Sequence, residues 1–282
     1  MRIAIFADIH GKILLPFKLV NLYQKETEKK VDLILQCGDI GAFPYLERLD
    51  KATIKHAQND RDELGFHDDF VAENEAIHEF LTELDLQMIC VRGNHEDHEF
   101  LNELEIAHFL HPRFPIDIYQ KVLVCKSGIK QELKIGDETL TFVGIGRIGD
   151  RKGRKHQKFI QDYEKREIDK LIKSNEDFDL LITHDKSSSS ERGYGTEEIR
   201  QVLDNVIFQY HFYGHTGEPF SIEPDDNGFT KSCKIKELEF TQSGNLPEKC
   251  MVILEKSLEG EFTLETVSKE LTKQLTKHNW KY

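Results

Sequence analysis

"VRGNHEDHEF", residues 91–100, leaves an apolar run at 88–91 and turns abruptly polar, delivering an asparagine, two histidines and three acids within a few positions. The same change recurs along the chain. The run at 3–7 opens into Asp8-Ile9-His10, and the run at 33–37 into Gly38-Asp39. Residues 180–183 lead to His184-Asp185, residues 212–213 lead to Gly214-His215-Thr216, and a further apolar run spans 141–144. Side chains alternate along an extended segment, so Asp8 and His10 point the same way. Gly38 permits a tight turn from which Asp39 emerges. Five strands are therefore expected to release Asp, Asn or His at their carboxyl ends, the edge at which open α/β sheets bind ligands.

Taken singly, each of these features has an ordinary explanation. Asp8-Ile9-His10 reads as a strand exit with a capping aspartate, and Gly38-Asp39 as a turn. Asn94 and His95 read as caps of the next helix, and His184 and His215 as satisfied core histidines; His98, His108, His111, His156 and His211 keep that reading. No turn or cap rule, however, produces the ordered series Asp-x-His, Gly-Asp, Gly-Asn-His-Glu, His, Gly-His. The series points to one site assembled from five strand ends.

Between the apolar runs the hydrophobic period lengthens to that of amphipathic helices, on Phe70, Val71, Ile77, Phe80, Leu81 and Leu84 and again on Phe159, Ile160, Tyr163, Ile168, Leu171 and Ile172. Thr196, followed by two acids, marks a third helix start. This alternation predicts an α/β layered fold. Beyond Gly214 the texture becomes β-like in "KIKELEF", "KCMVILE" and "EFTLETV", with a last amphipathic helix on Val267, Leu271 and Leu275. The expectation there is a second sheet with a terminal helix packed on it. Residues 41–65 form a long polar connection of the kind that tends to be functional or mobile, and 187–190 is a low-complexity serine patch.

The chain of 282 residues is long enough to bury a full core. Its formal net charge of −13 argues against broad binding to nucleic acid or anionic membrane, although "RIGDRKGRKHQK" at 147–158 is locally basic. Five cysteines, an odd number without CxxC spacing, indicate reduced, intracellular usage. "MRIAIFADIH" interrupts what a signal peptide would need, and no run reaches transmembrane length, so a soluble cytoplasmic protein with no membrane partner is expected.

On these motifs the chain resembles the calcineurin-like metallophosphoesterase superfamily, over residues 8 to 216. Arg92-Gly93-Asn94-His95-Glu96 and Gly214-His215-Thr216 are similar to the phosphoprotein phosphatases and the dinucleoside tetraphosphate hydrolases. The long segment between Gly38-Asp39 and Gly93-Asn94, Thr183-His184-Asp185 and "YHFYGH" at 210–215 resemble the RNA lariat debranching enzymes, which commonly carry a cysteine where Asp8 stands. The resemblance implies a four-layer αββα sandwich of two packed mixed sheets flanked by helices. It implies a single metallophosphoesterase domain over 1–282, with a second-sheet segment and C-terminal helix at about 217–282.

The resemblance also implies two divalent transition metal ions, Mn foremost, with Fe, Zn or Ni as alternatives. Asp8 and His10 would bind the first, Asp39 would bridge both, and Asn94, His184 and His215 would complete the second. His95 would be the catalytic proton donor, oriented by Glu96, Asp97 or another acid. Arg92 would contact the substrate phosphate or be a surface arginine at a strand end, and the 187–195 loop, with Arg192, reads first as a solvated loop and alternatively as a lining of the pocket. Many superfamily members end in Gly-His-x-His, whereas the second position here is Gly217, a histidine the phosphoprotein phosphatases also lack; the first ion should be the looser. The implied activity is hydrolysis of a phosphate ester by a metal-bound hydroxide. A nucleotide or RNA phosphodiester is the favoured substrate. A phosphomonoester, including a phosphoprotein, is the alternative, and a metal-stabilised scaffold without turnover is the alternative of another class.

Overall fold

The computed structural model of the chain describes residues 1–188 and 194–281. The first half alternates strand and helix: β1 (Arg2–Phe6), α1 (Leu14–Thr27), β2 (Leu33–Gln36), α2 (Lys51–Ala57), α3 (Gly65–Phe70), α4 (Glu75–Leu84), β3 (Met88–Cys90) and α5 (His98–Ala107). Then follow β4 (Arg113–Pro115), β5 (Val122–Cys125), β6 (Lys130–Ile135), β7 (Glu138–Ile145), α6 (Asp162–Ser174), β8 (Phe178–Thr183), α7 (Glu197–Asn205) and β9 (Phe208–Tyr213). The chain closes with β10 (Ser221–Pro224), β11 (Lys231–Lys234), β12 (Val252–Lys256), β13 (Phe262–Thr266) and α8 (Lys269–Thr272).

Alternation within the strands builds the layers. In β1, Ala4 and Phe6 pack with Phe17, Val20 and Leu81 of the helices on one side. Ile3 and Ile5 face the other way, against Phe142, Leu180 and Phe212 of a second sheet. Val143 and Leu181 on that sheet's outer face meet Ile168, Leu171, Ile199 and Val202 of α6 and α7. Three apolar interfaces thus hold four layers, αββα, and each large side chain fully buried in them contributes about 1.5–3 kcal/mol. The first sheet runs β13-β12-β1-β2-β3-β5-β4 and the second β10-β11-β9-β8-β7-β6. Both sheets are mixed. β1, β2, β3 and β5 are parallel neighbours, as are β7, β8 and β9, so the ends carrying the polar motifs emerge on one edge.

The last quarter differs from expectation. It divides between the sheets instead of forming one: β10 and β11 extend the second sheet beside β9, whereas β12 pairs antiparallel with β1 and carries β13 outward. "KIKELEF" is mostly an irregular extended passage, with only Lys234 in a strand and one bridge between Glu237 and Ala7. The terminal helix is a single short turn, α8, with Leu271 buried. Among the described residues no helix is long and apolar enough to cross a membrane.

Candidate metal centre

The strand ends turn into the site through strained backbone. Asp8, His10, Asp39 and His215 have φ of 50°, 40°, 52° and 65°, a left-handed conformation that costs on the order of 1–3 kcal/mol per non-glycine residue and persists only where the surroundings impose it. Here they do. The Asp8 amide donates to the Gly38 carbonyl at 3.1 Å and that of His10 to the Asp39 carbonyl at 3.0 Å. The His215 amide donates to both Asp8 carboxylate oxygens at 3.1 Å. Asp39 Oδ1 in turn accepts from the amides of Asn94 at 2.7 Å and His95 at 2.8 Å. Gly93 has to lack a side chain, since a Cβ there would lie 2.0 Å from Asp39 Oδ1.

Five ends thus converge. Asp8, His10 and Asp39 form one group whose donor atoms lie within 4.8 Å of one another, and Asp39, His184 and His215 form another. Asp39 is common to both. His184 Nε2 lies 3.3 Å from Asp39 Oδ1 and 3.1 Å from Asn94 Oδ1. His184 Nδ1 sits 2.9 Å from the Cys37 carbonyl; burial opposes the charged ring, but Asp39 and Asp8 raise it to about 9, so Nε2 would give up its proton on binding an ion while Nδ1 keeps its own on Cys37, the usual way a histidine ligand is oriented. Asp8 is pushed up to about 6 by burial, with the neighbouring Asp39 adding to the shift and His184 opposing it. His215 is lowered to about 3 by burial and by the charge of His184. Two buried carboxylates side by side, with imidazoles available as lone-pair donors, fit divalent transition ions.

His95 adjoins this cluster, its ring 5.7 Å from that of His10. Its Nδ1 is 2.6 Å from Asp50 Oδ2. The orienting acid is therefore Asp50, at the N-cap of α2 and within the polar 41–65 connection. Glu96 instead accepts from the amides of Ile40, Ala42 and Gly93 at 2.8, 2.9 and 3.0 Å, tying two of the ligand-bearing turns together. Asp97 caps α5 through the Phe100 amide at 3.1 Å.

Arg92 does not reach the site. It is 2% exposed, and its guanidinium bonds Asn102 Oδ1 at 2.6 Å, the Leu101 carbonyl at 3.0 Å and the Glu105 carboxylate. The expected phosphate contact gives way to a structural anchor on α5, because the strand turns the side chain at 92 inward. Two arginines of the basic stretch are likewise committed to the fold, whereas Lys152, Arg154 and Lys155 are exposed. Arg147 is fully buried and pairs with Glu164 at 2.9 Å, while Arg151 donates to the carbonyls of Tyr194 and Gly195. Tyr194 stands edge-on to His215, ring centroids 4.9 Å apart. Arg192 and part of the 187–190 patch lie outside the described residues.

A cavity of 80 Å³ lies beside His10 and His95, lined also by Thr53 and His56 of α2 and by Glu63 and Glu239. Asp50 and Glu239 are contributions that the motif series did not reveal, Asp50 carrying a signal only in lying within the long connection, while Tyr194 belongs to the 187–195 loop.

Residues 1–219 match the family model described as calcineurin-like phosphoesterase. None of the curated proteins matches the chain. Among solved structures, one is similar at 15% identity over 95% of this chain and 99% of its own, with a TM-score of 0.52. A hypothetical protein from Thermus thermophilus is similar at 13% identity over 95% and 99%, TM-score 0.47. The 5′-nucleotidase from Candida albicans is similar at 11% identity over 97% of this chain and 52% of that one, TM-score 0.45. The chain spans about half the length of that protein and 53% of a Staphylococcus aureus structure that is also similar.

Proposed function

Because the chain belongs to the calcineurin-like phosphoesterase family, whose members are metal-dependent phosphoric ester hydrolases, we propose that it hydrolyses a small phosphate ester at a two-ion centre, residues 1–282 acting as one domain. The observation that carries the reading is the sharing of Asp39 by two donor groups. Asp8 and His10 hold the first position and Asn94, His184 and His215 the second, while the Asp39 carboxylate offsets the repulsion between the two charges. When bound, such ions, Mn foremost, neutralise phosphoryl oxygens and activate water at neutral pH.

The remaining chemistry falls to the chain's own side chains. His95 presents a proton to the leaving oxygen, and Asp50 holds the ring so that Nε2 faces the cavity. Thr53, His56 and the rest of α2 narrow the approach and exclude bulk water from one side. The engagement of Arg147 and Arg151 within the fold and the net charge of −13 favour a nucleotide or another small ester over a long RNA.

The test is release of nitrophenol from a mono- and a bis-nitrophenyl phosphate with added Mn²⁺, comparing wild type with His95→Ala. The variant should be slower by a factor of about 10²–10⁴ on the preferred ester, the usual contribution of a placed general acid. Equal rates for the two proteins would sink the reading and favour a scaffold without turnover.

A further inference from the structure

From the packing beside His10 we infer that Glu239 is a ligand of the first metal ion, taking the coordination position that Gly217 leaves without a side chain. The inference deepens the two-ion reading above and rests on it.

The position begins with Gly217, whose φ of +70° strains any side chain there; a Cβ would meet only Glu237, at 3.5 Å. The chain returns to the same flank through residues 235–239. This passage is fixed by the Ile235 amide on the Tyr213 carbonyl at 2.9 Å and by the Leu238 amide on the carbonyls of Ala7 and Asp8 at 3.1 and 3.2 Å. Ile235 and Leu238 are fully buried and hold the passage down. Glu239 is thereby delivered beside the strand end that carries Asp8 and His10, with Oε1 3.5 Å from His10 Nε2.

That distance has a chemical consequence. Nε2 is the His10 nitrogen that faces Asp39, 4.0 Å from its Oδ2. An ion bound to His10 Nε2 would have the Glu239 carboxylate, 3.5 Å from that nitrogen, as its nearest acid on this flank. Ligands each about 2.1 Å from one ion stand roughly 3–4 Å apart, depending on the angle, and the observed separation falls within that span. Glu239 stands outside the group of Asp8, His10 and Asp39 as that group is placed, and with its side chain 39% exposed it has room to rotate toward it. A carboxylate in place of a histidine also hardens the site and shifts it toward Mn²⁺.

The experiment is a calorimetric titration of Mn²⁺ into the chelator-stripped full chain, for wild type, Glu239→Gln and Glu237→Gln, with metal-free thermal midpoints measured alongside. Wild type should bind two ions in unequal steps. Glu239→Gln should weaken the looser step at least tenfold and leave the tighter step within twofold, whereas Glu237→Gln should match wild type. Glu239→Asp, which retains the charge on a shorter arm, should fall between wild type and Glu239→Gln. Two undiminished steps in Glu239→Gln would overturn the role of Glu239 while leaving the two-ion centre standing. Fewer than two ions in wild type would remove the centre itself, and this inference with it.

Discussion

His95 keeps its proton because its acidic neighbours outweigh burial. Burial opposes the charged ring, but the hydrogen bond to Asp50 and the field of Asp39 raise it to about 9. A histidine raised in this way contributes its pairing energy in full below its ordinary value near 6.5, and that stabilisation is lost as pH rises through about 9. The hydrogen bond to Asp50 at 2.6 Å, which ions on Asp39 would leave in place, is the part of this shift that keeps the general acid loaded at neutral pH. Asp50→Asn isolates the effect, since asparagine is as good an N-cap as aspartate and can still accept from the Thr53 amide, as Asp50 does at 2.8 Å. The alkaline limb of the pH–rate profile should move toward neutrality in Asp50→Asn, with kcat at pH 8 falling about tenfold or more, while the thermal midpoint should fall at pH 6, where the pairing is present in full, and change little at pH 10. An unmoved alkaline limb would show that Asp50 does not govern His95.

At the scale of elements, Arg151 clasps the backbone beside His215. Arg151 holds the carbonyls of Tyr194 and Gly195, and Tyr194 lies against His215. Arg151→Ala should therefore slow hydrolysis of a small nitrophenyl ester, by about tenfold if Tyr194 shifts by an ångström or less. Neutralising the exposed Lys152 and Lys155 together should leave the small ester untouched. Steady-state rates on that single substrate separate the cases, and an equal loss in both variants would mean that the whole stretch serves folding. Sequence alone shows only that the stretch is locally basic, because the groups that occupy Arg147 and Arg151, Glu164 and the 194–195 backbone, are set by the tertiary fold.

Across the whole molecule, what sequence reveals and what it hides follow from distance along the chain. That Asp8, His10, Asp39, Asn94, His184 and His215 come together is legible because each lies a few residues beyond an apolar run, and parallel strands carry all of them to one edge. Arg92 is misread for the opposite reason. An arginine beside Gly-Asn-His looks the same whether it faces a phosphate or α5, and only packing decides. The sheet that β12 joins is equally hidden, since Ile3 meets Leu254 across nearly the full length of the chain. Glu239 and Asp50 reach the site along irregular passages that have no period to read.

The claim on which the rest depends is that Asp39 lies between two ions, and anomalous diffraction from Mn²⁺-soaked crystals tests it most directly. The account predicts two peaks about 3.5–4 Å apart, one beside Asp8 and His10 and the other beside Asn94, His184 and His215, with the Asp39 carboxylate touching both. A single peak, or two peaks without Asp39 between them, would contradict it.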